Sequence, residues 1–64
     1  MIVNGNEIAL AGIKMLKDFL DREGYTMDSI AVEKNGAIIP KSRYDAEPLV
    51  DGDRLEIVTF VGGG

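Results

Sequence analysis

The stretch of sequence that decides the fold is residues 54–64, RLEIVTFVGGG. Its β-branched and aromatic residues favour a strand, in which successive side chains point to opposite faces. Leu55 and Ile57 therefore share one face of the strand, whereas Val58 and Phe60 share the other. We expect the first face to cover the core and the second face to stay open.

The same stretch ends in three glycines, Gly62, Gly63 and Gly64. Glycine has no Cβ, so an extended glycine backbone enters a slot that is too narrow for any other residue. We expect the carboxylate of Gly64 to be the reactive group, with Gly62 and Gly63 as a flexible segment before it. The tail alone leaves an alternative open, because small residues also tolerate a frayed end.

Upstream of this stretch, the chain contains two hairpin signals. Asn4-Gly5 and Asn35-Gly36 each lie between short apolar runs, and Asn-Gly is the strongest short-range indication of a hairpin. Pro40 ends the strand after the second hairpin because proline has no N–H to donate to a ladder. The predicted strands cover residues 1–3, 7–10, 30–34, 37–39 and 54–61.

The segment between the hairpins has a helical pattern. Ile13, Leu16 and Leu20 fall on one face of a helix, and charged residues occupy the other face. Gly24 lies where a glycine commonly ends a helix. We expect an amphipathic helix over residues 13–23, although no Ser, Thr, Asp or Asn caps its start.

The element order is therefore β-β-α-β-β-β, with a further helical turn near residues 42–44. One amphipathic helix can cover one face of one sheet, which predicts an α+β fold with a mixed sheet of about five strands. We expect the first and last strands to lie side by side and parallel in the centre, as in a β-grasp (ubiquitin-like) fold. Residues 1–61 would form this domain and residues 62–64 a flexible C-terminal tail, because glycine loses much entropy on ordering.

Composition narrows the class of function. The chain has 64 residues and contains neither cysteine nor histidine. It therefore lacks the usual general base, the commonest metal ligand and the usual partner of a serine or cysteine nucleophile. We expect that the chain is not itself an enzyme and that it binds no metal.

Charge and hydropathy indicate which partners and which cellular location to expect. The net charge of −4 makes nucleic acid a poor partner, because binding it depends on clustered Lys and Arg. No stretch approaches the roughly 20 apolar residues that span a bilayer, and the first residues do not resemble a signal peptide. We expect a cytoplasmic protein that contacts no membrane and is a monomer when free.

The open face of the last strand is the predicted docking surface. A single helix cannot cover both faces of a sheet, so large apolar side chains on the uncovered face suggest a partner. The predicted partner-binding residues are Ile2, Val58, Phe60 and Val61. The alternative is that the strand twists and Phe60 packs against the edge of the core.

Two groups of polar residues are weaker candidates for a site. Asp51 and Asp53 flank a glycine, which is ordinary turn chemistry, and two carboxylates without further ligands make a weak metal site. Lys41, Arg43 and Tyr44 could bind an anion, but a solvated loop is the favoured interpretation. No glycine-rich phosphate-binding motif is present in the sequence.

Two segments carry a resemblance to a known family: residues 35–41, NGAIIPK, and residues 51–64, DGDRLEIVTFVGGG. Together with the early Asn4-Gly5 and the total length, they make the chain similar to the ThiS family of sulfur carriers in thiamine biosynthesis. The similarity covers essentially the whole chain and is strongest at the C-terminal end. The start of the helix departs from the family, which more often has Thr or Ser there.

The resemblance implies a function at Gly64. A ThiF-type adenylating enzyme would use ATP-Mg to form an acyl-adenylate on this residue, and sulfur from a cysteine desulfurase route would convert it into a thiocarboxylate. ThiG, the thiazole synthase, would then take the sulfur. The chain itself would bind no cofactor. The alternatives are a MoaD-like carrier for molybdopterin or another pathway, a ubiquitin-like protein modifier, and a plain interaction module.

Overall fold

The structure is a computed structural model that describes residues 1–60. Val61, the three glycines and the predicted boundary between domain and tail lie outside the described residues. The elements are β1 (Ile2–Val3), β2 (Asn6–Glu7), α1 (Leu16–Glu23), β3 (Ile30–Lys34), β4 (Ala37–Ile39) and β5 (Arg54–Thr59), with short 3₁₀ helices at Met27–Ser29 and Lys41–Arg43.

The strands form one mixed sheet in the order β2-β1-β5-β3-β4. β1 and β5 are parallel neighbours in the centre, with Ile2 opposite Arg54, and the other neighbouring strands are antiparallel. Both Asn-Gly pairs form the predicted hairpins: Asn4 and Asn35 have φ values of 50° and 52°. This left-handed conformation suits a two-residue turn that follows the twist of the strands. The α+β class and the β-grasp arrangement are confirmed.

The core lies between α1 and one face of the sheet. α1 contributes Leu16, Phe19 and Leu20, which are fully buried, and β5 contributes Leu55 and Ile57. Burying each such side chain stabilises the fold by about 1.5–3 kcal/mol. The prediction that the Leu55 face of β5 is the covered face is therefore confirmed.

Tyr44 also belongs to the core, which the sequence did not indicate. Its side chain is 2% exposed, and burial raises the pKa of its hydroxyl above the usual value. The interpretation of residues 41–44 as a solvated loop is wrong for this residue, and so is an anion site that would use it. The predicted helical turn nearby is present as the 3₁₀ helix Lys41–Arg43.

α1 begins at Leu16, so the predicted start at Ile13 is wrong. Met15 has an extended backbone and faces Pro48 across an isolated β-bridge. The Leu16 N–H donates to the Glu47 carbonyl at 2.8 Å. A carbonyl from a distant loop therefore satisfies one of the N–H groups that have no partner within the helix, and it fixes where the helix starts.

The predicted end of the helix is correct. Gly24 has φ 82°, and its N–H donates back to the last turn of α1. The second strand, in contrast, is shorter than predicted, because β2 covers Asn6–Glu7 rather than residues 7–10. β1 offers only two residues for pairing, and the bond from Ile8 N–H to the Met1 carbonyl at 2.8 Å continues the ladder beyond β2.

Candidate functional site

The path of β5 toward the glycine end is held from the β3 side. The Phe60 N–H donates to the Ser29 carbonyl at 2.8 Å. Ser29 is itself held in its 3₁₀ helix by a 2.9 Å bond from its N–H to the Thr26 carbonyl. Hydrogen-bonded backbone therefore fixes the direction of the chain as far as Phe60, four residues before Gly64.

The same strand is held from the β1 side by a side chain. β1 ends at Val3, and the amide of Asn4 then takes the place of a strand residue. Asn4 Nδ2 donates to the Ile57 carbonyl at 3.1 Å, and the Ile57 N–H donates to Asn4 Oδ1 at 2.7 Å. One primary amide thus satisfies both main-chain groups of a residue of the central strand.

The second Asn-Gly turn holds the start of β5 in a similar way. The Arg54 N–H donates to Asn35 Oδ1 at 2.9 Å, and Asn35 Nδ2 donates to Asp53 Oδ1 at 2.9 Å. Asp53 is buried and also accepts a 2.9 Å bond from the Val50 N–H. Asp53 therefore builds the turn before β5, in keeping with the interpretation of residues 51–53 as a turn.

The pKa of Asp53 reflects this environment. Burial acts to raise the pKa of the carboxyl, but the hydrogen bonds from Val50 and Asn35, with the nearby charge of Lys34, outweigh it and the pKa is lowered. The ionised carboxylate of Asp53 is the form that accepts both of these hydrogen bonds in the turn.

A second buried carboxylate, Glu47, ties the loop before β5 to the sheet. Its carboxylate lies 2.7 Å from Lys34 Nζ and 3.0 Å from Arg43 Nη2. The hydrogen bond from Lys34 is the largest cause of a lowered pKa for Glu47, and burial opposes it. Because the Glu47 carbonyl also accepts the first N–H of α1, this residue links sheet, loop and helix.

We expect the domain to lose stability in acid. A carboxyl whose pKa is lower in the folded state than in the unfolded chain stabilises the fold above its unfolded value, about 3.9 for Asp and 4.3 for Glu. That contribution is lost as the pH falls through the lower folded values of Asp53 and Glu47. Urea unfolding from neutral pH downward should show a falling midpoint below about pH 4.3.

The Glu47→Gln variant is the control for this acid dependence. It should be less stable than the wild type at neutral pH and should lose less stability on acidification. A variant with the same acid dependence as the wild type would show that the Lys34–Glu47 pair makes no contribution to it.

The open face of the sheet carries the predicted docking residues. Val58 is 59% exposed and Phe60 is 53% exposed, and Ala31 lies opposite Val58 on β3. Phe60 is therefore not packed into the edge of the core. A partner-binding role for Val58 and Phe60 stays a prediction.

Ile2 lies on the same open face but not beside Phe60. It is half-buried and pairs with Arg54, four residues before Val58 on β5. At about 3.3 Å per residue, that separation is about 13 Å along the strand. The structure thus brings Val58 and Phe60 together at the end of β5 and leaves Ile2 near its start. Val61, Gly62, Gly63 and Gly64 lie outside the described residues.

An acidic pair on this face was not predicted from the sequence. Glu33 on β3 and Glu56 on β5 are directly opposite each other and exposed, and Ile38 on β4 lies opposite Glu33. Within residues 1–60, neither carboxylate forms a salt bridge. The alternation of side chains along each strand was the available sequence signal for this pair. Only the register between β3 and β5 places the two residues opposite each other.

Residues 1–60 offer neither a metal cluster nor a membrane-spanning helix. In this part of the chain, His, Cys, Asp and Glu form no group of three or more that could hold a metal ion. The same residues contain no helix that is long and apolar enough to cross a membrane.

The chain is similar to known proteins over its whole length. The model of the ThiS family matches residues 1–64. The crystal structure of the thiamine biosynthesis protein ThiS from Geobacter metallireducens has a TM-score of 0.81 and 29% identity, and the match covers 98% of this chain and 96% of that chain.

Two further relatives differ in how much of them is matched. The sulfur carrier protein ThiS of Bacillus subtilis is 54% identical over 35 residues, which are 55% of this chain and 53% of that protein. A thiazole synthase of Paramagnetospirillum magneticum is 39% identical over 64 residues, so this chain spans only 20% of the length of that relative. The family match over all residues and the shared fold show that this chain belongs to the ThiS family.

Proposed function

We propose that this chain is a sulfur carrier of thiamine biosynthesis and that the carboxylate of Gly64 is the group that carries the sulfur. The observation that carries the proposal is the ThiS-family match over residues 1–64, which includes the glycine end. The relative from Bacillus subtilis, named as the sulfur carrier protein ThiS, supports the same function.

The chemistry requires activation of Gly64. An α-carboxyl group has a pKa of about 3.5, so at neutral pH it is an anion that resists nucleophilic attack. In the proposed reaction, the carboxylate oxygen attacks the α-phosphorus of ATP and pyrophosphate leaves. A persulfide sulfur then attacks the acyl carbon and AMP leaves. A second thiol cleaves the resulting acyl disulfide, which releases the thiocarboxylate and leaves a disulfide on the partner.

The chain contributes delivery rather than catalysis to this sequence. Hydrogen bonds at Ile57 and Phe60 hold the end of β5, so the backbone direction is set as far as Phe60 before a partner binds. The glycines add reach without side chains. We assign the activation step and its ATP-Mg to a ThiF-type adenylating enzyme, and the sulfur to a cysteine desulfurase route. The cytoplasmic location stays a prediction.

Thiazole synthase is the proposed acceptor of the sulfur. A relative that bears this name contains a segment similar to all 64 residues of this chain, within a fifth of its length. A carrier-like segment and a thiazole synthase therefore belong to one polypeptide in Paramagnetospirillum magneticum. This arrangement supports ThiG as the partner that takes the sulfur.

Intact-mass spectrometry tests the proposed function. The protein ending at Gly64 is incubated with a ThiF-type enzyme, ATP-Mg and a persulfide sulfur source, and a matched reaction omits ATP. We expect the mass to rise by the difference between one sulfur and one oxygen atom only when ATP is present. An unchanged mass, or lysine-linked adducts in its place, would contradict the carrier function.

We expect Phe60→Asp to weaken binding to the adenylating enzyme. The substitution places a charge in the exposed apolar patch of Val58 and Phe60, and an aromatic anchor commonly contributes at least about 1.4 kcal/mol, or tenfold in affinity. Because Phe60 is half exposed, the free energy of unfolding should change little. Titration calorimetry measures the affinity.

The matched control is Ile38→Asp, since Ile38 is 74% exposed on the same face but lies on the edge strand β4. It should bind like the wild type. Equal losses for both variants would indicate a general charge effect instead of a docking patch at the end of β5.

A further inference from the structure

The main-chain groups of β5 alternate between its two neighbours. On the β1 side, the Leu55 carbonyl accepts a 2.9 Å bond from the Asn4 N–H, and both groups of Ile57 bind the Asn4 side chain. On the β3 side, the Arg54 carbonyl accepts a 2.8 Å bond from the Asn35 N–H. The N–H and C=O groups of odd-numbered residues of β5 therefore point toward β1, and those of even-numbered residues point toward β3.

This alternation leaves Thr59 without a main-chain hydrogen-bond partner on the β1 side within residues 1–60. Phe60 donates its N–H toward β3, so the N–H and C=O of Thr59 point to the opposite side. β1 has already ended there, and the Asn4 side chain reaches only Ile57. Within residues 1–60, nothing bonds to the outward main-chain groups of Thr59, which is exposed.

We propose that this open edge of β5 at Thr59 binds an extended segment of the adenylating enzyme through main-chain hydrogen bonds, which adds a short strand to the sheet. Unpaired strand edges bind extended chains in this way, because the N–H and C=O groups are already aligned. This inference rests on the proposed function, since it assigns the partner that acts on Gly64.

The position of the edge identifies its occupant. Five residues separate Thr59 from Gly64, and an extended chain spans at most about 3.6 Å per residue, so the edge lies within about 18 Å of the reacting carboxylate. A protein that encloses that carboxylate must occupy the adjacent space. The glycines offer only main-chain groups for recognition, and Thr59 presents the same kind of group before them.

The flanking side chains define the chemistry of the added segment. Val58 and Phe60 stand on the open face on either side of Thr59, and both are more than half exposed. A neighbouring strand places alternate side chains over that face. The segment that pairs with Thr59 therefore presents an apolar side chain to Val58 and Phe60, and main-chain bonding and the apolar contact belong to one interface.

Amide hydrogen exchange tests the pairing directly in the unmodified protein. In the free protein, the Thr59 amide should exchange rapidly, whereas the Ile57 amide, bonded to Asn4, should be protected. When the adenylating enzyme is present in excess, we expect the exchange of the Thr59 amide to slow by at least about tenfold. The Ile57 amide serves as the internal reference in both states.

A pair of variants separates main-chain bonding from side-chain contact. Thr59→Pro removes the outward N–H. It breaks no hydrogen bond to β3, and proline is tolerated at such edge positions. Thr59→Val keeps the N–H and the branched shape. We expect Thr59→Pro to bind the adenylating enzyme about tenfold more weakly, equivalent to about 1.4 kcal/mol, and Thr59→Val to bind like the wild type.

Three outcomes would overturn the proposal. They are rapid exchange of the Thr59 amide in the saturated complex, unchanged affinity of Thr59→Pro, and protection in the free protein that rises with its concentration, which would identify a second copy as the occupant. If the wild type still forms the thiocarboxylate in any of these cases, only the edge pairing fails. If the wild type forms no thiocarboxylate, the proposed function itself is contradicted.

Discussion

Adding one residue after Gly64 should abolish formation of the thiocarboxylate and leave the fold intact. The extension converts the Gly64 carboxylate into a peptide amide, which has no anionic oxygen to attack ATP. It also moves the new carboxylate about 3.8 Å farther along the chain, whereas a misplacement of about 1 Å can cost a hundredfold in rate. We expect a rate loss well beyond a hundredfold, measured by intact mass after incubation with the adenylating enzyme and ATP.

A removable extension provides the control. Proteolysis that regenerates Gly64 as the last residue should restore the reaction in the same sample, and unfolding in urea should give the same midpoint before and after cleavage. If the extended protein reacted at the wild-type rate, the reactive group would have to lie elsewhere, and the assignment of the Gly64 carboxylate as that group would be wrong.

Asn4→Ala should cause the largest loss of stability among the polar substitutions considered. It removes both hydrogen bonds to Ile57, each worth about 0.5–1.5 kcal/mol, and it forces alanine into a left-handed conformation that costs a further 1–2 kcal/mol or so. The sum is about 2–5 kcal/mol, whereas a domain of this size has a total stability of about 3–10 kcal/mol. Urea unfolding of the variant measures the loss.

Two further substitutions separate these contributions. Asn4→Gly removes the side chain at a position where glycine is unstrained, so its cost of about 1–3 kcal/mol should report mainly the two hydrogen bonds. Asn6→Ala changes an exposed asparagine of the same hairpin and should alter stability by less than about 0.5 kcal/mol. Wild-type stability of Asn4→Gly would show that the Asn4 amide does not hold β5.

The sequence predicted the elements whose signals are local. Asn4-Gly5 and Asn35-Gly36 indicated both hairpins, because a two-residue turn of this type depends on the φ values of its own residues. Gly24 marked the end of α1 for the same reason. The alternation along β5 also predicted correctly which of its faces is buried.

The errors occurred where distant segments compete with local preference. The start of α1 is fixed by the carbonyl of Glu47, and Met15 pairs with Pro48 instead of continuing the helical period. Tyr44 lies in a polar segment of the sequence but fills the core. In each case the partner is more than 25 residues away along the chain or depends on the final packing, so no local pattern could reveal it.

The sequence by itself determined the turns, the strand alternation and the glycine end, because each depends on residues that are neighbours in the chain. The tertiary structure alone decided that the same asparagines that make the turns also bond the backbone of β5, across 53 residues for Asn4. It also decided that β1 ends opposite Leu55, four residues before Thr59, and that the Asn4 side chain bonds β5 at Ile57, two residues before Thr59. Main-chain hydrogen bonds between strands depend on register, and register exists only once the strands are packed together.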